Sequence, residues 1–241
     1  MTHGQSHSHD TEASGASEAA DRRWLAATWP FVLVSLPDAP ARVLEMGCGP
    51  LGGFVPELER AGYDALGVDP EAPPGPSFRQ TAFEEYDDPR PVDAAIACTS
   101  LHHLADLDLA LGKLASTLAP SSRVIVVEWM HEQFDEATAR WCFDRLPSDG
   151  DTYLHHHRDA WSESGLPWDD YFRQWAQEEH GLHPWTDIKR TLNSRFVTEH
   201  SEDVPYYFCT LGISEDEEVA ATRSGEIQPG AVRYVGRPRA D

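Results

Sequence analysis

A glycine-rich segment at residues 45–53 and an acid downstream, Asp69, have the residue types and spacing that suit binding chemistry. Glycine accepts the backbone angles of a tight turn and lets a ligand approach the main chain closely. A helix that follows such a turn directs its free N–H groups towards the ligand. A carboxylate at the tip of the neighbouring strand can accept hydrogen bonds from the two hydroxyls of a ribose. These residues therefore predict a site for a nucleoside-containing molecule.

Two classes of nucleoside ligand fit this segment. The spacing Gly47-x-Gly49-x-x-Gly52, with Asp69 downstream, satisfies the fingerprint of dinucleotide-binding domains, so NAD is one alternative. Glu45 favours S-adenosylmethionine, because a carboxylate repels a pyrophosphate, whereas S-adenosylmethionine carries an amino group and a sulfonium. Glu-x-Gly-x-Gly at the end of a predicted strand also resembles motif I of the class I S-adenosylmethionine-dependent methyltransferases.

Three further segments occur in the order that this family shows. They are Gly67-Val68-Asp69, the apolar run at residues 92–99, and Ser100-Leu101-His102-His103-Leu104. The last is similar to the junction after strand four in methyltransferases that act on small molecules, including the quinone-biosynthesis type. The resemblance covers residues 41 to about 130. It implies an α/β fold with a doubly wound, mostly parallel, seven-stranded sheet, and S-adenosylmethionine as cofactor.

The resemblance also implies which residues hold the cofactor, across the carboxyl ends of strands one, two and four. Asp69 would hold the ribose hydroxyls, and Cys98 would offer its backbone carbonyl to the amino group. The predicted cofactor-binding residues are Glu45, Gly47, Cys48, Gly49, Asp69, Pro70, Ala82, Phe83 and Cys98.

Two histidines after the fourth predicted strand are the candidate catalytic bases. Methyl transfer from a sulfonium is a direct displacement, so alignment of the reacting atoms can supply much of the rate. A base is needed only if the acceptor is an acidic hydroxyl or a protonated amine. His103 is the first candidate and His102 the second, because an imidazole titrates near neutral pH. The alternative is that one of them packs inward or caps the next helix.

The tip of the fifth predicted strand supplies candidate substrate-binding residues. Glu128, Trp129 and His131 are predicted to face the same crevice, and Trp141 to lie in its aromatic wall. Glu128 would pair with a cationic acceptor or with His103. It is too isolated for the acidic cluster that a magnesium-dependent enzyme needs, so we predict no metal.

Charge limits the partners of this chain. Its 241 residues carry 41 acidic and 19 basic side chains, for a net charge of −22, and the lysines are only Lys113 and Lys189. The electrostatic field of this negative charge repels phosphate backbones and anionic membranes, so we expect neither nucleic acid nor a membrane as partner. A small-molecule acceptor is the expected partner, with the protein a monomer or a homodimer.

Cysteine spacing and hydropathy indicate the compartment. The four cysteines are scattered singly with no Cys-x-x-Cys pair, which suggests neither a zinc site nor a disulfide framework. The sequence shows no signal peptide and no apolar run long enough to span a bilayer. We therefore expect a cytoplasmic protein.

The elements that position these residues follow from the order of apolar runs. Residues 1–20 lack large apolar side chains and are predicted to be a disordered tail. Residues 21–241 form the methyltransferase domain, which opens with an amphipathic helix, broken near Pro30, that could close over the glycine-rich loop. A strand region at 196–211, a helix capped by Ser214 and a last strand at 230–236 match the family's sheet, whose final strand is antiparallel.

Residues 131–195 differ from the rest in being helical in pattern and unusually aromatic. Insertions after the fifth strand commonly form the wall over the acceptor in this family, so we interpret this segment as a substrate-binding insertion. The alternative is that its aromatic side chains are the core of a small helical subdomain.

These observations predict an S-adenosylmethionine-dependent methyltransferase acting on an oxygen or nitrogen of a small, aromatic or apolar molecule. One alternative is a protein that binds S-adenosylmethionine but catalyses a non-methylating reaction such as a cyclisation. An NAD-dependent oxidoreductase and a non-catalytic ligand-binding subunit are the others.

Overall fold

A computed structural model describes residues 15–88, 90–148, 150–179 and 181–239. Its sheet has seven strands in the order β3-β2-β1-β4-β5-β7-β6. The first five strands are parallel, and β7 runs antiparallel to both of its neighbours. The fold class predicted from the sequence is therefore confirmed. The strands are β1 (Arg42–Met46), β2 (Asp64–Val68), β3 (Phe78–Arg79), β4 (Val92–Cys98), β5 (Leu118–Trp129), β6 (Phe196–Val204) and β7 (Ala231–Pro238).

Helices cover both faces of this sheet, which explains why β1 and β4 are buried along nearly their whole length. One face packs against α3 and α7, and the other against α1 and α2. The helices are α1 (Gly15–Ser35), α2 (Val55–Arg60), α3 (Leu107–Thr117), α4 (Glu136–Phe143), α5 (Tyr153–Ser164), α6 (Trp168–Arg173), α7 (Trp185–Arg195), α8 (Phe208–Leu211) and α9 (Glu215–Ser224). None of the helices in the described part of the chain is long and apolar enough to cross a membrane.

The first helix is longer than the sequence predicted. It begins at Gly15, inside the segment predicted as a disordered tail, and an ion pair between Glu18 and Arg22 spans one turn of it. The tail prediction otherwise falls on residues 1–14, outside the described part. The helix also continues through Pro30, where we predicted a break. Proline removes one intrahelical hydrogen bond, but Val32 and Leu36 on the following turns pack into the core.

The aromatic segment after β5 is helical, as predicted for an insertion at this place. Its rings form a packed cluster with residues from β5 and the region before α9. Trp168 is fully buried at the centre, and its indole donates a hydrogen bond to the carbonyl of Phe134 at 2.7 Å. The cluster is therefore a second core, continuous with one end of the sheet.

The sixth strand ends earlier than predicted. The chain leaves β6 at Val204 and turns into α8, although Val204-Pro205-Tyr206-Tyr207-Phe208 has the composition of a strand. Glu218, buried on α9, accepts hydrogen bonds from the backbone N–H groups of Tyr206, Tyr207 and Phe208 at 2.6–3.1 Å. Three N–H groups satisfied by one distant carboxylate cannot join a strand ladder, so a turn forms here.

Candidate active site

A cavity of about 660 Å³ opens at the carboxyl ends of β1, β2 and β4. Its position is where doubly wound sheets bind ligands, at the point where the strand order reverses. All the residues predicted to bind the cofactor lie in its wall: Glu45, Gly47, Cys48, Gly49, Asp69, Pro70, Ala82, Phe83 and Cys98. Their roles towards the cofactor stay predictions, but the fold brings the whole set to one place.

The turn after β1 depends on two glycines in left-handed conformations. Gly47 has φ of +78°, and a Cβ there would collide with the Cβ of Ser100, whose hydroxyl donates a hydrogen bond to the Met46 carbonyl at 2.9 Å. Gly49 has φ of +60°, and a Cβ there would meet no atom within 4 Å. The absence of a side chain at Gly49 therefore leaves room for a ligand to approach the backbone.

Asp69 is oriented by the backbone around it. One of its carboxylate oxygens accepts a hydrogen bond from the Gly49 N–H at 3.0 Å, and the other accepts one from the Glu71 N–H at 2.7 Å. An ionised carboxylate has about four lone-pair sites, so each oxygen can still accept a second donor. Asp69 is half-buried in the cavity wall and fits the two hydroxyls of a ribose.

Glu45 joins the turn to the helix that follows it. Its side chain is buried, and one carboxylate oxygen accepts a hydrogen bond from the Phe54 N–H at 2.8 Å. A Cβ at Gly53 would overlap this carboxyl group. Burial raises the pKa of Glu45 to about 8. The acid of the Glu-x-Gly-x-Gly motif thus has a structural role that sequence spacing did not reveal.

This pKa makes a testable prediction about stability. Because the folded pKa is raised above the unfolded value, ionisation of Glu45 destabilises the folded state as pH rises from about 4.5 to about 8. Glu45→Gln keeps an oxygen acceptor for Phe54 but cannot ionise. We expect the stability of the variant relative to wild type to improve by about 1 kcal/mol or more between pH 5 and pH 8. Urea unfolding across that range measures the difference, with Glu57→Gln on the exposed face of α2 as control. If the free energy of unfolding changed equally with pH in wild type and Glu45→Gln, the prediction would be contradicted.

The tip of β4 contains a strained residue that the sequence did not mark. Thr99 has φ of +48°, which a β-branched residue rarely adopts, and its N–H donates to the Val127 carbonyl at 2.7 Å. It lies in the cavity wall between Cys98 and Ser100. Such strain concentrates at functional sites. The Cys98 thiol is buried, which raises its pKa, so it stays protonated and is no nucleophile.

Helix α1 forms the opposite wall of the cavity. Asp21, Trp24 and Leu25 line it from one face of the helix. The helix is held by Arg23, whose guanidinium donates to the Cys209 carbonyl at 2.6 and 2.9 Å, and by an edge-on contact of Trp24 with Tyr206. The sequence placed an amphipathic helix near the loop but did not identify these side chains, because the contact is made only in the folded protein.

The two candidate bases have different environments. His103 is exposed and lines the cavity, whereas His102 is buried behind it with the ring centroids 4.0 Å apart. His102 Nδ1 lies 2.5 Å from Oε1 of Glu128. Since Glu128 also accepts hydrogen bonds from the N–H groups of Leu101 and Trp129, its oxygens face away from the cavity. The sequence suggested His103 as a partner of Glu128, and the structure places His102 against this carboxylate.

The other predicted substrate-binding residues do not line this cavity. Trp129, His131 and Trp141 are all about 5% exposed. Trp129 and Trp141 belong to the aromatic core, and burial lowers the pKa of His131. Because these side chains pack against other aromatic residues, the structure brings only His103 together with the predicted cofactor residues.

The fold and the site agree with a comparison to known families. A family model described as a methyltransferase domain matches residues 18–196, about three quarters of the chain. The chain belongs to this methyltransferase family. S-adenosylmethionine is therefore its methyl donor, and the left-handed turn, the open space at Gly49 and the oriented Asp69 carboxylate fit that molecule. No curated protein matches this chain by sequence.

Solved structures show the same fold at low sequence identity. An S-adenosylmethionine-dependent methyltransferase from Mesorhizobium loti is 18% identical, with a TM-score of 0.56 and coverage of 88% of this chain and 97% of the other. A putative S-adenosylmethionine-dependent methyltransferase from Listeria monocytogenes is 19% identical, with a TM-score of 0.57 and coverage of 89% and 99%. The N-methyltransferase NodS from Bradyrhizobium japonicum, solved with S-adenosylhomocysteine, is 13% identical, with a TM-score of 0.52 and coverage of 92% and 88%.

Proposed function

We propose that this methyltransferase moves a methyl group to an oxygen or nitrogen of a small, aromatic or apolar molecule. The observation that carries the proposal is the continuity of the cavity. Its wall runs from the predicted cofactor residues to His103, Leu104 and the Trp24 and Leu25 side chains of α1. An acceptor held against that apolar wall would lie beside both the cofactor and an imidazole.

The size of the cavity supports a small acceptor. Its volume of about 660 Å³ is within the range of roughly 300–1,000 Å³ that small-molecule sites occupy. Two proteins of similar fold act on small molecules: a geranyl diphosphate C-methyltransferase from Streptomyces coelicolor and a didemethyltoxoflavin N1-methyltransferase from Burkholderia thailandensis. The net charge of −22 makes a nucleic acid an unfavourable substrate.

The chain's own contribution is alignment and proton removal. S-adenosylmethionine supplies an electrophilic methyl group on a sulfonium. Asp69 would orient the ribose, and the turn at Gly47 and Gly49 would bring the backbone against the methionine part. Helix α1 would exclude water from the reacting atoms through Trp24 and Leu25. His103 would accept the proton of an acceptor that arrives protonated, as a positioned imidazole can near neutral pH.

A calorimetric titration tests the basis of this proposal. The purified protein is titrated in parallel with S-adenosylmethionine, S-adenosylhomocysteine and NAD. We expect micromolar binding of the first two and no heat with NAD, because the ionised carboxylates in the cavity wall oppose a pyrophosphate. Binding of NAD alone would overturn the proposed use of the cavity. The absence of binding heat with all three ligands would contradict the cofactor roles proposed for the residues of its wall.

A further inference from the structure

Four carboxylic acids line the cavity wall, and Glu45 among them is mostly neutral at pH 7 because burial raises its pKa to about 8. The four are Glu45, Asp69, Glu84 and Asp21, and none of the described residues that line the cavity is a lysine or an arginine. An anionic acceptor, such as a carboxylate or a phosphate ester, would therefore be repelled by the ionised carboxylates there. The net charge of −22 adds a field that attracts cations from solution.

Two of these four acids have other roles. The Glu45 carboxyl group accepts a hydrogen bond from the Phe54 N–H at the start of α2. The Asp69 carboxylate is oriented by the Gly49 N–H and is proposed to bind the ribose. Glu84 adjoins Phe83, one of the predicted cofactor-binding residues. Asp21 is different, because it lies across the cavity on α1 and makes no hydrogen bond to a described residue. Although Asp21 is exposed, partial desolvation and the nearby Glu18 raise its pKa, so a nearby cation would stabilise its ionised form.

The two other groups that a protonated amine requires also line the cavity. Residues 21, 24 and 25 share one face of α1, as the spacing of three and four residues dictates, so the carboxylate and the Trp24 indole line the same wall. An indole face attracts an ammonium ion. His103, in the wall near the end of β4, supplies a base. Phenols and alcohols can also donate a hydrogen bond to a carboxylate, but as neutral molecules they gain no ionic attraction from it.

We propose that the acceptor of this methyltransferase is an amine, which enters the cavity as an ammonium ion paired with Asp21 and contacting the Trp24 ring. The proposal rests on the proposed function. His103 takes one proton from the ammonium group, which restores the nitrogen lone pair. That pair forms the new nitrogen–carbon bond while the carbon–sulfur bond breaks, and its electrons stay on sulfur. The product leaves as a methylated ammonium ion, and His103 returns its proton to solvent.

The test compares three probes of matched shape on protein saturated with S-adenosylhomocysteine. Phenethylamine is a cation at neutral pH, phenethyl alcohol is neutral and phenylacetate is an anion. Calorimetric titration should show the amine binding at least about tenfold more tightly than either of the others. Asp21→Asn should remove that preference, while Asp38→Asn, an equal charge change at an exposed site outside the cavity, should keep it.

Each outcome decides the proposal. No binding of phenethylamine, or equal binding of the alcohol or the acid, overturns it. An Asp21→Asn variant that binds the amine as wild type does also overturns it. A variant that loses affinity for S-adenosylhomocysteine assigns Asp21 to the cofactor instead. The control for the proposed function is separate, because failure of wild-type protein to bind S-adenosylhomocysteine would contradict that function before any amine is added.

Discussion

Asp69→Ala is expected to lower the affinity of the protein for S-adenosylmethionine by about 100-fold. The carboxylate would accept both ribose hydroxyls, and hydrogen bonds to a charged acceptor are each worth about 1.5–3 kcal/mol. Loss of the pair at the low end of that range is about 3 kcal/mol, and each 1.4 kcal/mol is tenfold in affinity. Calorimetric titration with S-adenosylmethionine and S-adenosylhomocysteine measures the change.

The control for Asp69→Ala lies on the same strand. Asp64→Ala removes an equal charge from the opposite end of β2, where the side chain is exposed and at 3.7 Å from the Arg42 guanidinium. We expect that variant to bind the cofactor as wild type does. Thermal unfolding of both variants should show folded protein, because the two backbone N–H groups released at Gly49 and Glu71 can bond to water. Unchanged affinity in folded Asp69→Ala protein would remove Asp69 from the cofactor site.

Gly47→Ala is expected to destabilise the protein by about 3 kcal/mol and to abolish cofactor binding. A non-glycine residue in a left-handed conformation adds about 1–2 kcal/mol, and the new methyl group would also collide with Ser100. Overpacking of this kind typically adds about 1–3 kcal/mol. Urea unfolding measures the stability change, and titration with S-adenosylhomocysteine measures the loss of binding.

A second substitution separates these two causes. Ser100→Gly removes the atoms that the methyl group introduced by Gly47→Ala would strike, together with the hydrogen bond to the Met46 carbonyl. In a double-mutant cycle, the collision appears as a favourable coupling of roughly 1–3 kcal/mol between the two changes. Additive effects would mean that the backbone conformation alone requires glycine at this position, which would contradict the close approach of β1 and β4.

The cofactor half of the site could be predicted from the sequence because its signals are local. The Glu-x-Gly-x-Gly turn and Asp69 each follow directly from a strand, and parallel strands place their carboxyl ends at one edge of the sheet. Gly47 and Gly49 are required by backbone angles that no other residue adopts easily. The resemblance of these motifs to the methyltransferase family then predicted the sheet and the methyl donor without knowledge of any contact.

Tertiary structure decided which side chains face the acceptor. His102 and His103 are adjacent in sequence and alike in chemistry. His102 lies outside the cavity wall because it pairs with the buried Glu128 carboxylate, whereas His103 lines the cavity. Trp129 and Trp141 have the composition of a binding pocket, but they pack into a second core because enough aromatic partners surround them. Asp21 and Trp24 line the cavity because α1 packs on the sheet beside the distant α8. Contacts between elements far apart in the chain depend on packing, and a local pattern does not encode them.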